Sequence, residues 1–293
     1  MNIMNDLSWV PALRTPELNV FFDWVTLIGY PLFLILFLLF GYFFFQTKSF
    51  YRATILLMGA GLLNALLKDF FQDPRPAAEF ALDPRTGGSY GWPSGHAQIA
   101  VVLWGFLAYE IRQGWATIGA IVLIALICAS RVYLGVHDLG DVFGGLVLGI
   151  LCLAGFIWAL HHATVQGVLA RLGDGGVVAA LLAVHVAYIG FFPAHLDHAA
   201  PVWFVGSMLG WVIARAWMAH GEVVLPGPLG VRFLLASAAT GLGFVWMIVT
   251  TRWPESLALE GLAGIGLTYA AGVAFAVIMG WGVPRLIGLF ARG

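Results

Sequence analysis

Charged side chains are scarce in this chain. Asp, Glu, Lys and Arg make up 10% of its 293 residues, where a soluble domain carries about 25%. So few charges cannot cover a water-facing surface, and with 61% hydrophobic residues and a mean hydropathy of +0.91 the composition is that of a bilayer protein. Cysteine is scarcer still. Cys128 and Cys152 both lie in apolar runs, which leaves no disulfide framework and no zinc spacing. Neither sign of charge dominates: 14 Lys and Arg against 15 Asp and Glu leave a net charge of −1, so nothing electrostatic calls for a nucleic-acid partner. The basic n-region of a secretory signal is also missing, because only Arg14 precedes the first long apolar run, beside Asp6, Glu17 and Asp23. Residues 1–20, with Trp9, Pro11 and Pro16, are expected to lie along the membrane interface. No internal repeat appears, and no polar stretch is long enough for a separate soluble domain.

What is there is a succession of apolar runs. A span needs about 17–25 mostly apolar residues, and runs at about 21–46, 51–67, 95–111, 115–135, 141–160, 177–193, 202–219, 232–250 and 260–283 predict an all-α, polytopic membrane bundle of about nine transmembrane helices. Residues 21–162 read as a core of five spans and 163–293 as additional C-terminal transmembrane helices. Gly145 and Gly149 form a GxxxG on the fifth span, a packing signal. With nine spans the termini face opposite sides. Eight Lys and Arg, Lys48, Arg52, Arg112 and Arg171 among them, fall with the C-terminus, against three ordinary ones with the N-terminus. The positive-inside rule then places the C-terminus in the cytoplasm and the N-terminus in the periplasm, exterior or lumen.

Polar residues at span ends are functional candidates by default, and three clusters occur. Lys68-Asp-Phe-Phe-Gln-Asp-Pro-Arg75-Pro76 closes the second span, Trp92-Pro93-Ser94-Gly95-His96 opens the third, and Ser130-Arg131 through His137 to Asp141 joins the fourth to the fifth. The alternation of spans brings all three to one face. Lys68, Arg75 and Arg131 can converge on an anion, and the arginine fork suits phosphate oxygens. Ser94 and Gly95 begin a helix, where free N–H groups and the dipole favour phosphate. His137 and Asp141, four apart, share a helical face, so the carboxylate can hold one imidazole nitrogen and free the other as nucleophile. His96, on another helix, can protonate the leaving oxygen. This is a two-step hydrolase through a phosphohistidine, and nothing in it requires a metal or other cofactor.

The spacing K-x6-R-P, then P-S-G-H, then S-R-x5-H-x3-D resembles the three-part signature of the type 2 phosphatidic acid phosphatase superfamily. That superfamily includes lipid phosphate phosphatases, polyprenyl diphosphatases, the glucose-6-phosphatase and sphingosine-phosphate phosphatase branches, and vanadium haloperoxidases. The resemblance covers about residues 20–160 and implies His137 as nucleophile, Asp141 as its orienter, His96 as acid, and Lys68, Arg75, Ser94, Gly95 and Arg131 as phosphate holders. The three extra helices make the chain similar in size to the two enlarged branches.

Taken singly, each motif has an ordinary reading: a snorkelling Lys68, a helix start capped by Ser94, a surface His/Asp pair. Their conjunction on one face argues for a site. The expected partner is a lipid phosphate or diphosphate within membrane lipid, such as undecaprenyl diphosphate, phosphatidic acid, phosphatidylglycerol phosphate or a sphingoid-base phosphate. Alternatives are a soluble sugar phosphate such as glucose 6-phosphate, a Mg²⁺-dependent transferase using Asp69 and Asp73, and a lipid flippase with a relic headgroup site. Asn64, one turn before Lys68, reads as pocket lining or a helix bridge. Asp83 and Glu79 read as rim residues, and His195, Asp197 and His198 as interfacial loop residues.

Overall fold

Proline and glycine set the first helix boundaries. In the computed structural model, which describes residues 4–45, 47–86, 88–191, 199–218, 223, 225–256 and 261–290, the first apolar run is broken. Helix α1 (Pro16–Leu27) opens with Thr15 as its cap, the hydroxyl accepting from the Leu18 N–H, and with Pro16 where no N–H is needed. Helix α2 (Pro31–Phe44) follows at a bend of 51°. Pro31 has no N–H with which to continue the ladder. Gly29, in the break, faces the His96 ring so closely that a Cβ would lie 2.4 Å from its Cδ2. Glycine at this position leaves room for that ring.

The remaining helices are α3 (Thr47–Phe71), α4 (Gly95–Ile111), α5 (Gly114–Tyr133), α6 (Leu139–His161), α7 (Ala163–Phe191), α8 (Ala199–Trp217), α9 (Leu229–Ser256), α10 (Gly261–Val277) and, after a π-helical turn, α11 (Val283–Phe290). No strand occurs among the described residues. The fold is all-helical, and each of the nine predicted runs coincides with a helix or with the bent pair. Among the described residues six stretches are long and apolar enough to cross a membrane, namely α3, α5, α6, the α7 residues 163–188, the α9 residues 229–251 and Ala263–Leu289, with α1 and α2 a seventh if taken as one broken span. Helix α4, at 17 residues, falls short because it opens on Gly-His-Ala-Gln. The apolar part of α8, Val202–Trp217, is also shorter.

The chain divides into two compact units, Met1–Leu34 with Gly59–Ala159, and Ile35–Met58 with Leu160–Gly293. In the first, α4 and α5 pack together and α1 packs on α5. Leu7 and Val10, from the segment ahead of α1, are buried with Ala97, Cys128, Val132 and Val142. Helix α6 meets α4 through Gly145 and Gly149, where an added Cβ would lie 2.4 Å from the Ser94 carbonyl oxygen and 2.8 Å from that of Gln98. The GxxxG thus seats α6 against the start of α4, the close approach small residues permit. In the second unit α8 and α10 pair through Gly206, Gly210 and Gly272, each pressed against a carbonyl of the facing helix. His185 of α7 bonds the Tyr269 hydroxyl at 3.0 Å. His195, Asp197 and His198 lie outside the described residues.

Candidate active site

The three clusters meet within the first unit. After α5 the chain turns at Gly135, where φ is +69° and a Cβ would sit 1.9 Å from the Phe80 carbonyl oxygen, so only glycine fits. The N–H groups of Val136 and His137 bond the Arg131 carbonyl at 3.2 and 3.3 Å. This turn buries His137 just ahead of α6, with Nδ1 2.9 Å from Asp141 Oδ2. On the other edge of the ring, Nε2 lies 3.2 Å from Arg75 Nη1. Guanidinium has only donors, so Nε2 accepts, and the ring proton sits on Nδ1, where Asp141 receives it. The imidazole therefore carries its lone pair on the nitrogen that faces the Arg75 guanidinium. Burial, reinforced by the charges of Arg75, Lys68 and Arg131, holds its pKa well below the ordinary 6.5.

The cations are fixed by backbone carbonyls. Arg75 donates from Nε to Ser89 O at 2.6 Å, from Nη1 to Val136 O at 2.8 Å and from Nη2 to Ser89 Oγ at 2.8 Å. Lys68, in the last turn of α3, donates to the carbonyls of Tyr90 and, at 2.7 Å, Gly91. Its third proton remains for an anion. Asn64, one turn earlier, bonds the Pro93 carbonyl at 3.1 Å and its Oδ1 would lie 3.2 Å from a Cβ on Gly95, so it seats the start of α4.

Ser94 occupies the cap position of α4, but its hydroxyl does not cap the helix. Its N–H bonds Asp141 O at 2.9 Å, while Oγ is buried without a hydrogen-bond partner. Among the other buried atoms without a partner, His96 Nε2 and Arg131 Nε belong to the motif residues. Buried polar groups are normally paired. His96 stands close enough to Arg131, His137 and Arg75 to feel their charges. The three unsatisfied atoms and the α4 N-terminus are what the oxygens of a tetrahedral anion would satisfy.

Sequence reading missed the surroundings of Arg131. Asp83 is no rim residue: its side chain is fully buried, and Oδ2 lies 3.1 Å from Arg131 Nη1. Tyr30, in the break between α1 and α2, donates to the same oxygen at 2.5 Å, and Thr26 of α1 also accepts from Arg131 Nη1. Burial pushes the Asp83 carboxyl up, but hydrogen bonds from Tyr30 and Arg85 and the charge of Arg131 more than offset it, holding the pKa at about 2. Arg14, read as an ordinary charge, donates to the carbonyls of Phe80 at 2.5 Å and Tyr133 at 3.2 Å. A carboxylate two residues before Arg85, and a tyrosine beside the Gly29/Pro31 break, were the signals available.

A cavity of about 260 Å³ adjoins the site, lined by Asn5, Phe71, Asp73, Trp92, Asp138, Gly140 and Asp141. Phe71 and Trp92 meet edge to face at 4.5 Å. Burial and the neighbouring Asp141 raise the Asp73 carboxyl pKa.

A sequence profile of the PAP2 superfamily matches residues 49–164, and the chain is 32% identical over 152 residues to phosphatidylglycerophosphatase B of Bacillus subtilis, covering 47% of this chain and 73% of that protein. The chain belongs to the PAP2 superfamily. A second PAP2 relative, dihydrosphingosine 1-phosphate phosphatase of Saccharomyces cerevisiae, is 28% identical over 168 residues; the chain spans 40% of its length, with 50% of this chain aligned. Among solved structures, the transmembrane PAP2-type phosphatidylglycerolphosphate phosphatase of Bacillus subtilis is 29% identical, with a TM-score of 0.45, over 52% of this chain and 80% of that one. The PAP2 match places the family resemblance on the helices that carry all three motif clusters.

Proposed function

We propose that this PAP2 protein is an integral-membrane, metal-independent phosphatase that hydrolyses a lipid phosphate or diphosphate through a phosphohistidine. The observation that carries the reading is the His137 ring, held by Asp141 on Nδ1 and facing Arg75 with Nε2. Nε2 attacks phosphorus as the bond to the lipid oxygen breaks, and that oxygen leaves with a proton from His96. Water then attacks the phosphohistidine, giving its proton back to His96 and freeing phosphate and His137. Lys68, Arg75, Arg131, Ser94 and the Gly95 N–H stabilise the charge on the equatorial oxygens in both steps.

A lipid is favoured over a sugar phosphate by Phe71 and Trp92 beside Asp141, and by the lipid substrates in the names of both relatives. We infer further that residues 21–162 form the phosphatase core and 163–293 an appended set of helices, nine spans in all, with the site on the extracytoplasmic face. Purified protein should release phosphate from a panel of lipid phosphates in the presence of EDTA, and vanadate should stop it. His137→Ala should be inactive; full activity in that variant overturns the mechanism. Lipid flux in the same liposomes without phosphate release would instead favour a flippase.

A further inference from the structure

Arg131 and His96 stand on different helices, yet both lead back to one carboxylate. We propose that Asp83 is a positioning residue that sets the phosphate-holding guanidinium of Arg131 directly and the acid imidazole of His96 through Tyr30. The inference rests on the roles proposed above for those two residues.

The geometry of the carboxylate comes first. Asp83 Oδ1 accepts from Arg85 Nε at 2.7 Å and from the Arg85 N–H at 3.1 Å. Oδ2 accepts from Arg131 at 3.1 Å and from Tyr30 at 2.5 Å. Four donors fill the lone pairs of one carboxylate, so its orientation is fixed. Arg85 is itself held, pairing with Asp23 and lying over the Tyr30 ring at 5.0 Å.

The consequence for Arg131 is directional. Its Nη1 is gripped by Asp83 and Thr26, while Nε is buried and has no hydrogen-bond partner. Two acceptors on Nη1 restrict the planar guanidinium from its far end, and the unsatisfied Nε is the donor left for a phosphate oxygen. For His96 the link is the Tyr30 ring, which meets the imidazole edge to face at 4.6 Å while the Tyr30 hydroxyl is tied to Asp83. The imidazole also rests against Gly29, where a Cβ would be 2.4 Å away. The ring is thus in contact with both Gly29 and Tyr30, with Nε2 buried and unpartnered.

Two variants of the full chain separate the halves of the proposal. Asp83→Asn keeps the shape and removes the charge; its KM and its vanadate inhibition constant should each rise by about tenfold or more, as the Arg131 edge loses its aim. Tyr30→Phe keeps the ring and deletes the hydroxyl that bonds Asp83. It should lower kcat on a lipid phosphate by about tenfold, with KM and vanadate inhibition within about twofold of the parent. On p-nitrophenyl phosphate, whose leaving group needs little protonation, the Tyr30→Phe loss should disappear. An equal loss on both substrates overturns the link to His96. An Asp83→Asn enzyme that is merely scarcer, with parental KM and vanadate inhibition per active molecule, overturns the link to Arg131. Should Asp83→Asn not fold, Asp83→Glu takes its place under the same criteria. Parental protein that releases phosphate while His137→Ala is inert shows that the reading beneath the proposal stands, whichever way the Asp83 and Tyr30 results fall.

Discussion

Both units of the chain bury polar side chains, and they differ in the charge of the partners. In the second unit, Ser207, Thr250 and Thr268 turn their hydroxyls back to a carbonyl four residues earlier in their own helix. Those bonds use the hydroxyl proton locally, and Thr250 Oγ1 also accepts from the neutral Trp203 indole at 3.2 Å. In the motif-bearing unit the partners come from far along the chain, such as Asp83 for Arg131 and Arg75 for His137, and several groups keep an unsatisfied atom. His185 of the second unit also has an unpartnered Nε2. What it lacks, among its described contacts, is a cation, a carboxylate or a second imidazole; its one hydrogen bond is to the Tyr269 hydroxyl. An unfilled polar atom points to chemistry where several converge with charge, and to packing where one stands alone.

The sharpest way to break that comparison is to remove the nucleophile. His137→Ala should lower turnover by at least about 1,000-fold, measured as phosphate release from a lipid phosphate, while His185→Phe should leave it intact. Next comes Asp141→Asn, which keeps the shape of the pair but no longer favours the proton on Nδ1. A loss of about 100- to 10,000-fold is expected, from what the same change does to a buried His/Asp pair elsewhere. KM should move little, because the amide still fills its place beside Gly91. An Asp141→Asn enzyme within about twofold of the parent would remove the tautomer argument.

The contrast between the units also explains what the sequence made legible. Each apolar run found a helix or the bent pair among the described residues, since composition alone decides whether a segment can lie in a bilayer; α11 (Val283–Phe290) lies past the last run. The motif residues could be read because their roles depend on short spacings: four residues from His137 to Asp141, two from Ser94 to His96. Asp83, Thr26, Tyr30 and Arg14 escaped because their partners lie 48, 105, 53 and 66 residues away. No local periodicity encodes such pairs. The break was signalled by Gly29 and Pro31 in its own run; only the contact of Gly29 with the His96 ring of another helix lay beyond local sequence.

A pH profile probes the unit that carries charge. Burial and three cations keep His137 unprotonated below the ordinary imidazole value of 6.5, so the loss of kcat/KM caused by protonating this nucleophile should set in only below pH 6.5. Asp83, held at about 2, stays ionised beside Arg131 across that range. Arg75→Gln removes one of the cations and should shift the acid limb toward neutrality, besides lowering the rate. Stability follows the same sign: the unfolded chain takes up the proton first, so the folded state should weaken as pH drops below 6.5. A limb at or above 6.5 in the parent would contradict the protonation state drawn from the Arg75 contact.

A smaller effect is expected at the segment ahead of α1. Arg14→Ala leaves the Phe80 and Tyr133 carbonyls short of a donor, a cost of about 1–3 kcal/mol. It should appear as a lower Tm, with kcat per folded molecule within about threefold of the parent, because Arg14 holds the frame of the Gly135 turn and touches no reacting atom. Arg14→Lys restores a donor without the fork and should recover part of the loss.

The smallest effect belongs to the second unit, and it is where the comparison is most exposed. His185→Phe keeps a ring in the same space and deletes the bond to Tyr269; hydrogen bonds between membrane helices average about 0.6 kcal/mol, so unfolding in detergent should shift only slightly. Tyr269→Phe removes the same bond from the other end. If the pair is packing and nothing more, the two variants should be equally mild, and the double variant should cost no more than either alone, because the second change finds no bond left to break. If the free Nε2 served a reaction or a ligand, the histidine variant alone would lose function while the tyrosine variant kept it. That asymmetry in turnover would make the second unit chemical as well, and would erase the distinction between convergent and solitary unfilled atoms.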